Sequence, residues 1–157
     1  MTPIIREAFH HEEELLTDIA MTSKAYWGYS KAFMEACRAE LTVTTEKLES
    51  NSFDYQVAQL DGEIIGFYAL EHLTAEETEL EALFVLPEAI GIGIGKSLMQ
   101  HALERATQKG YIQMHIQSDP YADDFYAAMG AEFMGSKESL SIPGRFLSMY
   151  KYSLNAN

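Results

Sequence analysis

Cysteine is almost absent: Cys37 stands alone among 157 residues. A single thiol excludes an internal disulfide and any cysteine-cluster metal site, and it points to a reducing compartment. Basic residues are scarce as well, 11 Lys plus Arg against 24 Asp plus Glu, leaving a formal net charge of −13. Nucleic acid and anionic membrane surfaces call for a basic face, so neither is expected as a partner. No stretch approaches the roughly 20 apolar residues of a membrane span. The opening Met1-Thr2-Pro3-Ile4 lacks the basic region and apolar run of a signal peptide. Repeats, linkers and low-complexity segments are missing too. The remainder is ordinary for a globular chain, 47% hydrophobic and 22% charged residues, over a length that fits one domain, 1–157. The expectation is a soluble cytoplasmic protein, monomeric or homodimeric, with no metal.

Periodicity divides the chain. Ile4 and Ile5 give a weak strand signal over 2–9. Leu15, Leu16, Ile19 and Ala20 then recur at helical spacing, with Glu12, Glu13 and Glu14 in the first turn where carboxylates suit the helix dipole. Gly28 ends this helix, Ser30 caps a second one reaching about Leu41, and Thr44 or Thr45 opens a short polar helix. Tyr55, Val57 and Leu60 lead into Asp61-Gly62, a strong hairpin signal, and 64–70 follows as the return strand. A third strand is predicted over 79–86, closed by Pro87. Leu98, Ala102, Leu103 and Ala106 mark a long amphipathic helix that Gly110 stops. Beyond it come a strand over 111–117, a short helix over 122–129 and a last strand over 146–154. This order gives a mixed α/β (α+β) domain on a mostly antiparallel sheet flanked by helices.

The segment between the third strand and the long helix is the most informative: Val85-Leu86-Pro87-Glu88-Ala89-Ile90-Gly91-Ile92-Gly93-Ile94-Gly95-Lys96-Ser97-Leu98. Glycines at alternate positions let backbone amides turn inward together, and the helix start adds partial positive charge. That combination suits a phosphate. A tight turn by itself would need one glycine, not three. Gly95-Lys96-Ser97 matches the end of a nucleotide P-loop, but the glycine required five positions earlier is Ile90. The dinucleotide fingerprint would need glycine where Lys96 stands.

Val-x-Pro, three residues, Gly-x-Gly-x-Gly and a leucine three further on resemble the pyrophosphate loop of the GNAT superfamily of acyl-CoA N-acyltransferases. Asp119-Pro120-Tyr121-Ala122-Asp123-Asp124-Phe125-Tyr126-Ala127-Ala128-Met129-Gly130-Ala131 is similar to that family's later motif, and residues 23–29 and 141–145 are similar to uncharacterised members. The resemblance implies a GNAT fold with acetyl-CoA as cosubstrate. It implies pyrophosphate at Ile90, Gly91, Ile92, Gly93, Ile94, Gly95, Lys96 and Ser97, and the pantetheine arm along Leu83, Phe84 and Val85. It adds Asp119, Ala122, Phe125 and Tyr126 to the residues that bind the cosubstrate, with Tyr126 beside the thiol. The family usually has Arg or Gln where this chain has Ile90, so a side-chain contribution to the phosphates is lost there.

Acyl transfer from a thioester to an amine needs a neutral amine, a stabilised oxyanion and a proton for the leaving thiolate, and no nucleophilic cysteine. Cys37, spaced with Phe33 and Leu41, reads as core. For the base, the resemblance selects Glu79, with Glu81 as the near alternative. Both are expected to share a strand face with Leu83 and Val85. The plainer account makes them solvated edge carboxylates. His115 is a further candidate base, and Tyr126 takes the family's acid position. Tyr26, Trp27 and Tyr29 are expected to cover the acceptor channel, where aromatic rings can bind a cation, and Arg145 to meet an acceptor carboxylate; ordinary packing and surface exposure account for them as well. The resulting expectation is N-acetyl transfer to a small, amino-acid-like or cationic amine by direct attack in a ternary complex. The alternatives are a non-catalytic CoA-binding sensor or assembly module, and a nucleotide phosphotransferase using Gly95-Lys96-Ser97.

Overall fold

The computed structural model describes residues 2–154; Met1 and 155–157, the ends of the expected domain, lie outside it. Strand β1 (Ile4–Glu7) is followed by helices α1 (Glu13–Ala25), α2 (Lys31–Leu41) and α3 (Thr45–Glu49). Then come β2 (Phe53–Leu60), β3 (Glu63–His72), β4 (Glu77–Val85) and α4 (Ile94–Gln108). The chain closes with β5 (Gln113–Ser118), α5 (Asp123–Ala128), β6 (Glu132–Glu138) and β7 (Phe146–Ser153). The strands form one seven-stranded sheet in the order β1-β2-β3-β4-β5-β7-β6. Only β4 and β5 run parallel, because α4 carries the chain back between them.

Local chemistry explains most of these boundaries. Asp61 and Gly62 both adopt positive φ, 52° and 83°, the conformation that a two-residue hairpin with the right twist demands. Ser30 Oγ accepts from the Phe33 N–H at 3.1 Å and Thr44 Oγ1 from the Lys47 N–H at 3.2 Å, so both caps hold donors that would otherwise be orphaned.

The sheet buries both faces. Leu16 and Ile19 of α1 and Cys37 of α2 pack with Val57, Phe67, Ala82 and Phe84 on one side. Leu98, Met99 and Ala102 of α4 pack with Tyr68, Leu80, Met114 and Ile116 on the other. Each such fully buried side chain contributes about 1.5–3 kcal/mol of apolar transfer free energy. A polar tie reinforces the α4 layer. Buried Asp54 on β2 accepts from Arg105 Nε and from Gln56 Nε2 at 2.8 Å, and pairs with the Lys109 ammonium 3.2 Å away.

Two features depart from the sequence reading. Strand β6 had no bounds in the sequence reading, because Glu132–Glu138 lies at the sheet edge with nearly every side chain exposed. A strand solvated on both faces has no reason to alternate. The second departure concerns β4. Leu80 pairs with Leu70 and Ala82 with Ala69, which leaves Glu81 as an extra residue in a bulge. The bulge exchanges the faces. Leu83 and Val85 join Leu80 on the α4 side, whereas Ala82 and Phe84 pack on the α1–α2 side. Glu79 and Glu81 therefore do not share a face with Leu83 and Val85.

Candidate active site

Between β4 and α4 the backbone turns through Gly91 and Gly93 at φ 89° and 85°. Residues with a Cβ are strained there, whereas glycine is not. Gly93 is also the N-cap of α4, and no side chain caps this 15-residue helix, so its first N–H groups are left for an external acceptor. A Cβ built on Gly91 or Gly93 would meet nothing within 4 Å, whereas one on Gly95 would lie 3.5 Å from Phe125 and 3.9 Å from Val85. The cradle is thus open on its outer side and packed against β4 and α5 on its inner side. Lys96 is exposed, and Ile90, 46% exposed, offers only aliphatic surface. Main-chain amides fit the pyrophosphate of CoA without a basic side chain.

The ladder between β4 and β5 ends at Leu80–Ile116, although both strands continue. A cavity of about 410 Å³ opens where they part. Ala82, Leu83 and Phe84 line one wall and Gln117, Asp119 and Ala122 the other. Val85 and Phe125 stand between this cavity and the glycine cradle, packed against Gly95.

Three half-buried carboxylates, Glu71, Glu79 and Glu81, line the acidic end of the cavity with Tyr55. Burial pushes the Glu79 carboxyl up and Glu71 adds to the shift, while His115 and Lys137 oppose it. Burial also raises Glu81, with Lys47 opposing and Glu71 and Glu79 assisting. His115 neighbours Glu79 across the ladder but donates from Nε2 to Glu77 Oε2 at 2.7 Å, and it does not line the cavity.

Tyr126 lines the cavity from the α5 side and is only 7% exposed, packed edge-on to Phe125 with ring centroids 5.2 Å apart. Burial pushes its phenol well above the usual range, so it stays protonated through neutral pH. Opposite the acidic end lies a cationic wall. Asp119 Oδ2 accepts from Lys24 Nζ at 3.1 Å and from Arg145 Nη2 at 3.0 Å, and its Oδ1 accepts from Tyr29 at 2.9 Å. Burial alone would raise Asp119, but the Tyr121 N–H, Lys24 and Tyr29 outweigh it and hold the carboxyl low. Burial and the bond to Asp119 push the Tyr29 phenol up to about 12. Trp27 stacks on Tyr121 at 5.0 Å within the lining, while Tyr26 packs edge-on behind Trp27. Cys37 is buried in the α1–α2 core, its Sγ 3.9 Å from Ser141 Oγ.

The structure thus gathers Glu79, Glu81, Leu83, Phe84, Asp119, Ala122, Tyr126, Trp27 and Arg145 around one cavity, while Tyr26, Tyr29, Val85, residues 90–97, His115 and Phe125 stand outside its lining. Sequence reading missed Glu71 and Lys24. Glu71 lies one residue past the expected end of its strand, and Lys24 sits inside a segment quoted for its aromatic residues. Among the described residues no group of three or more His, Cys, Asp or Glu is arranged to hold a metal ion, and no helix is long and apolar enough to cross a membrane.

A sheet split stands beside a glycine-lined helix start, an arrangement that can seat an acyl-CoA. Residues 16–131 match the profile of the Acetyltransferase (GNAT) family, and the chain belongs to that family. Acetyl-CoA is its cosubstrate. The chain is 28% identical over 149 residues to a 5-NmdU N-acetyltransferase of Pseudomonas phage PaMx11, covering 94% of this chain and 97% of that protein. It is 28% identical over 127 residues to the peptidyl-lysine N-acetyltransferase YiaC of Escherichia coli (strain K12), covering 81% and 82%. The crystal structure of PaiA N-acetyltransferase from Thermoplasma acidophilum in complex with coenzyme A superposes with a TM-score of 0.78 at 20% identity, over 98% of this chain and 99% of that one.

Proposed function

We propose that this chain, acting in the cytoplasm as one domain, acetylates the primary amine of a small molecule by direct attack in a ternary complex. The observation that carries this reading is the placement of Glu79 and Tyr126 around the same cavity, each with its proton affinity raised by burial. Bound along the glycine cradle and the split, acetyl-CoA supplies an acyl group already activated as a thioester. Gly91, Gly93 and the first amides of α4 hold the pyrophosphate. The β4 backbone from Glu81 to Val85, unpaired on its β5 side, is free to hydrogen-bond the pantetheine arm.

Glu79 takes the proton of the incoming ammonium, directly or through water, and its raised proton affinity brings it nearer to that of the amine. Glu81, beside it, is the alternative acceptor of that proton. Tyr126 keeps its own proton at neutral pH and donates to the departing sulfur. The cavity volume suits a small molecule, and the net charge of −13 favours approach of a cationic amine over a polyanion. The similarity to a peptidyl-lysine acetyltransferase agrees with a cationic amine acceptor.

The test is thiol release from acetyl-CoA with a panel of primary amines, run on the wild-type chain and on E79Q. Turnover in the wild type that E79Q lowers by about 10²–10⁴-fold is expected. Stabilisation by CoA without turnover of any amine would instead identify a CoA-binding module that Ile90 has left catalytically silent.

A further inference from the structure

Lys24 and Arg145 come from opposite ends of the sequence to one carboxylate. Asp119 accepts from Lys24 Nζ, Arg145 Nη2, Tyr29 Oη and the Tyr121 N–H, which fills the roughly four lone-pair sites a carboxylate offers. The charges do not balance. Around Asp119 two cations face one anion and a neutral phenol, leaving an excess positive charge in that part of the wall; Glu40 also lines the cavity but forms no ion pair with either cation, and the protein is strongly acidic overall. Glu138, outside the cavity lining, accepts from the Gly144 N–H at 2.8 Å.

Both cations are fixed and partly dehydrated. Their side chains are 13% and 15% exposed. The Arg145 guanidinium lies 5.0 Å from the Phe33 ring centre and Lys24 Nζ 5.5 Å from that of Tyr29, rings that stack on each other at 4.1 Å. Arg145 makes its polar contacts through Nη2 alone, so its other N–H groups, and two of the three on Lys24, find no partner among the described residues. Unspent donors on a rigid, net-positive wall ask for an anion with a planar, two-oxygen face.

The geometry points to an acceptor that carries a carboxylate as well as its amine: Lys24 and Arg145 hold the carboxylate at one end of the cavity while the amine meets Glu79 and Glu81 at the other. This rests on the reading that the amine is acetylated in this cavity, and it narrows the substrate class to amino-acid-like molecules. Arg145 and Lys24 become the residues that set specificity.

The experiment compares matched acceptors that differ only in a carboxylate, such as phenylalanine with phenethylamine and lysine with cadaverine. The wild-type chain is expected to favour the carboxylated member in kcat/KM by about 10- to 100-fold. In R145Q and in K24M this preference falls toward one, whereas R145K, which keeps the charge, retains part of it. The KM for acetyl-CoA is read in every variant. If R145Q depresses both members of a pair equally, Arg145 only supports the fold and the inference fails. If the variants raise the KM for acetyl-CoA instead, the anion held there is a phosphate of the cosubstrate, which also overturns it. Should no pair turn over, calorimetry on the CoA-loaded chain decides. Tighter binding of the carboxylated member, lost in R145Q, upholds the basic pole while counting against acetyl transfer; equal or absent binding of both refutes the pole.

Discussion

Glu71 and Glu79 are direct neighbours across the β3–β4 ladder, and both line the cavity. Two like charges opposite each other on one sheet face repel, and here burial keeps water from screening them. The charge of Glu71 makes Glu79 harder to ionise, which on the proposed mechanism makes Glu71 a positioning residue for Glu79. In E71Q the acid limb of the kcat/KM–pH profile is expected to move to lower pH, because removing a negative neighbour eases ionisation of Glu79. A profile unchanged in E71Q would separate Glu71 from the chemistry.

The same raised carboxyls set a stability trend. A carboxyl with a raised folded-state pKa binds its proton more tightly in the native chain than in the unfolded one. The native state therefore loses stability as pH rises from the ordinary value of 4.5 through the raised one. E81Q removes that penalty. Its Tm should exceed that of the wild type at pH 7, and the difference should vanish below about pH 4, where both states are protonated. Thermal unfolding across this range checks the sign.

Asp54 carries the opposite sign. Burial would raise its carboxyl, but hydrogen bonds from Arg105 and Gln56 and the charge of Lys109 hold it below the ordinary 3.8. Its contribution is present above that value and is lost as pH falls through the lower folded one. D54N should cost about 1–3 kcal/mol in denaturant unfolding at neutral pH, with a smaller difference in acid and little change in turnover.

The glycine cradle predicts a loss of binding without a loss of fold. G93V places a branched side chain at φ 85°, a strained conformation, and fills the open space over the helix start. Calorimetry should show CoA affinity falling by more than tenfold. Conversely, I90R supplies a cation at the exposed position before Gly91 and should tighten CoA by about two- to fivefold, the range of a solvent-exposed ion pair.

On the proposed mechanism Tyr126 contributes a proton and not affinity. Y126F should lower kcat by about tenfold or more while leaving the Kd for CoA within about twofold, since the ring that packs on Phe125 is retained. Unchanged turnover would leave the hydroxyl with no part in the reaction.

Much of this was legible along the chain. Gly91, Gly93 and Gly95 before an amphipathic helix announced a glycine turn into an uncapped helix start, because a turn and a helix start are both local in sequence. Asp61-Gly62 fixed its hairpin for the same reason. The bounds of strand β6 could not be read, since an edge strand exposed on both faces has no apolar period. The face exchange at Glu81 also escaped detection. A bulge is a property of the register between β3 and β4, and nothing in β4 alone reports it.

The sequence by itself determined the family, most of the order of elements and the glycine turn before the long helix, each of which rests on residues within a few positions of one another. Only the tertiary structure decided which side chains share the cavity. Glu71 meets Glu79 through strand pairing, and Lys24 meets Arg145 at Asp119 across more than a hundred residues of chain. Such meetings depend on how the sheet splits after Leu80 and how the α1–α2 turn and the β6–β7 loop close over the gap. They arise from packing at a distance, which no local pattern encodes.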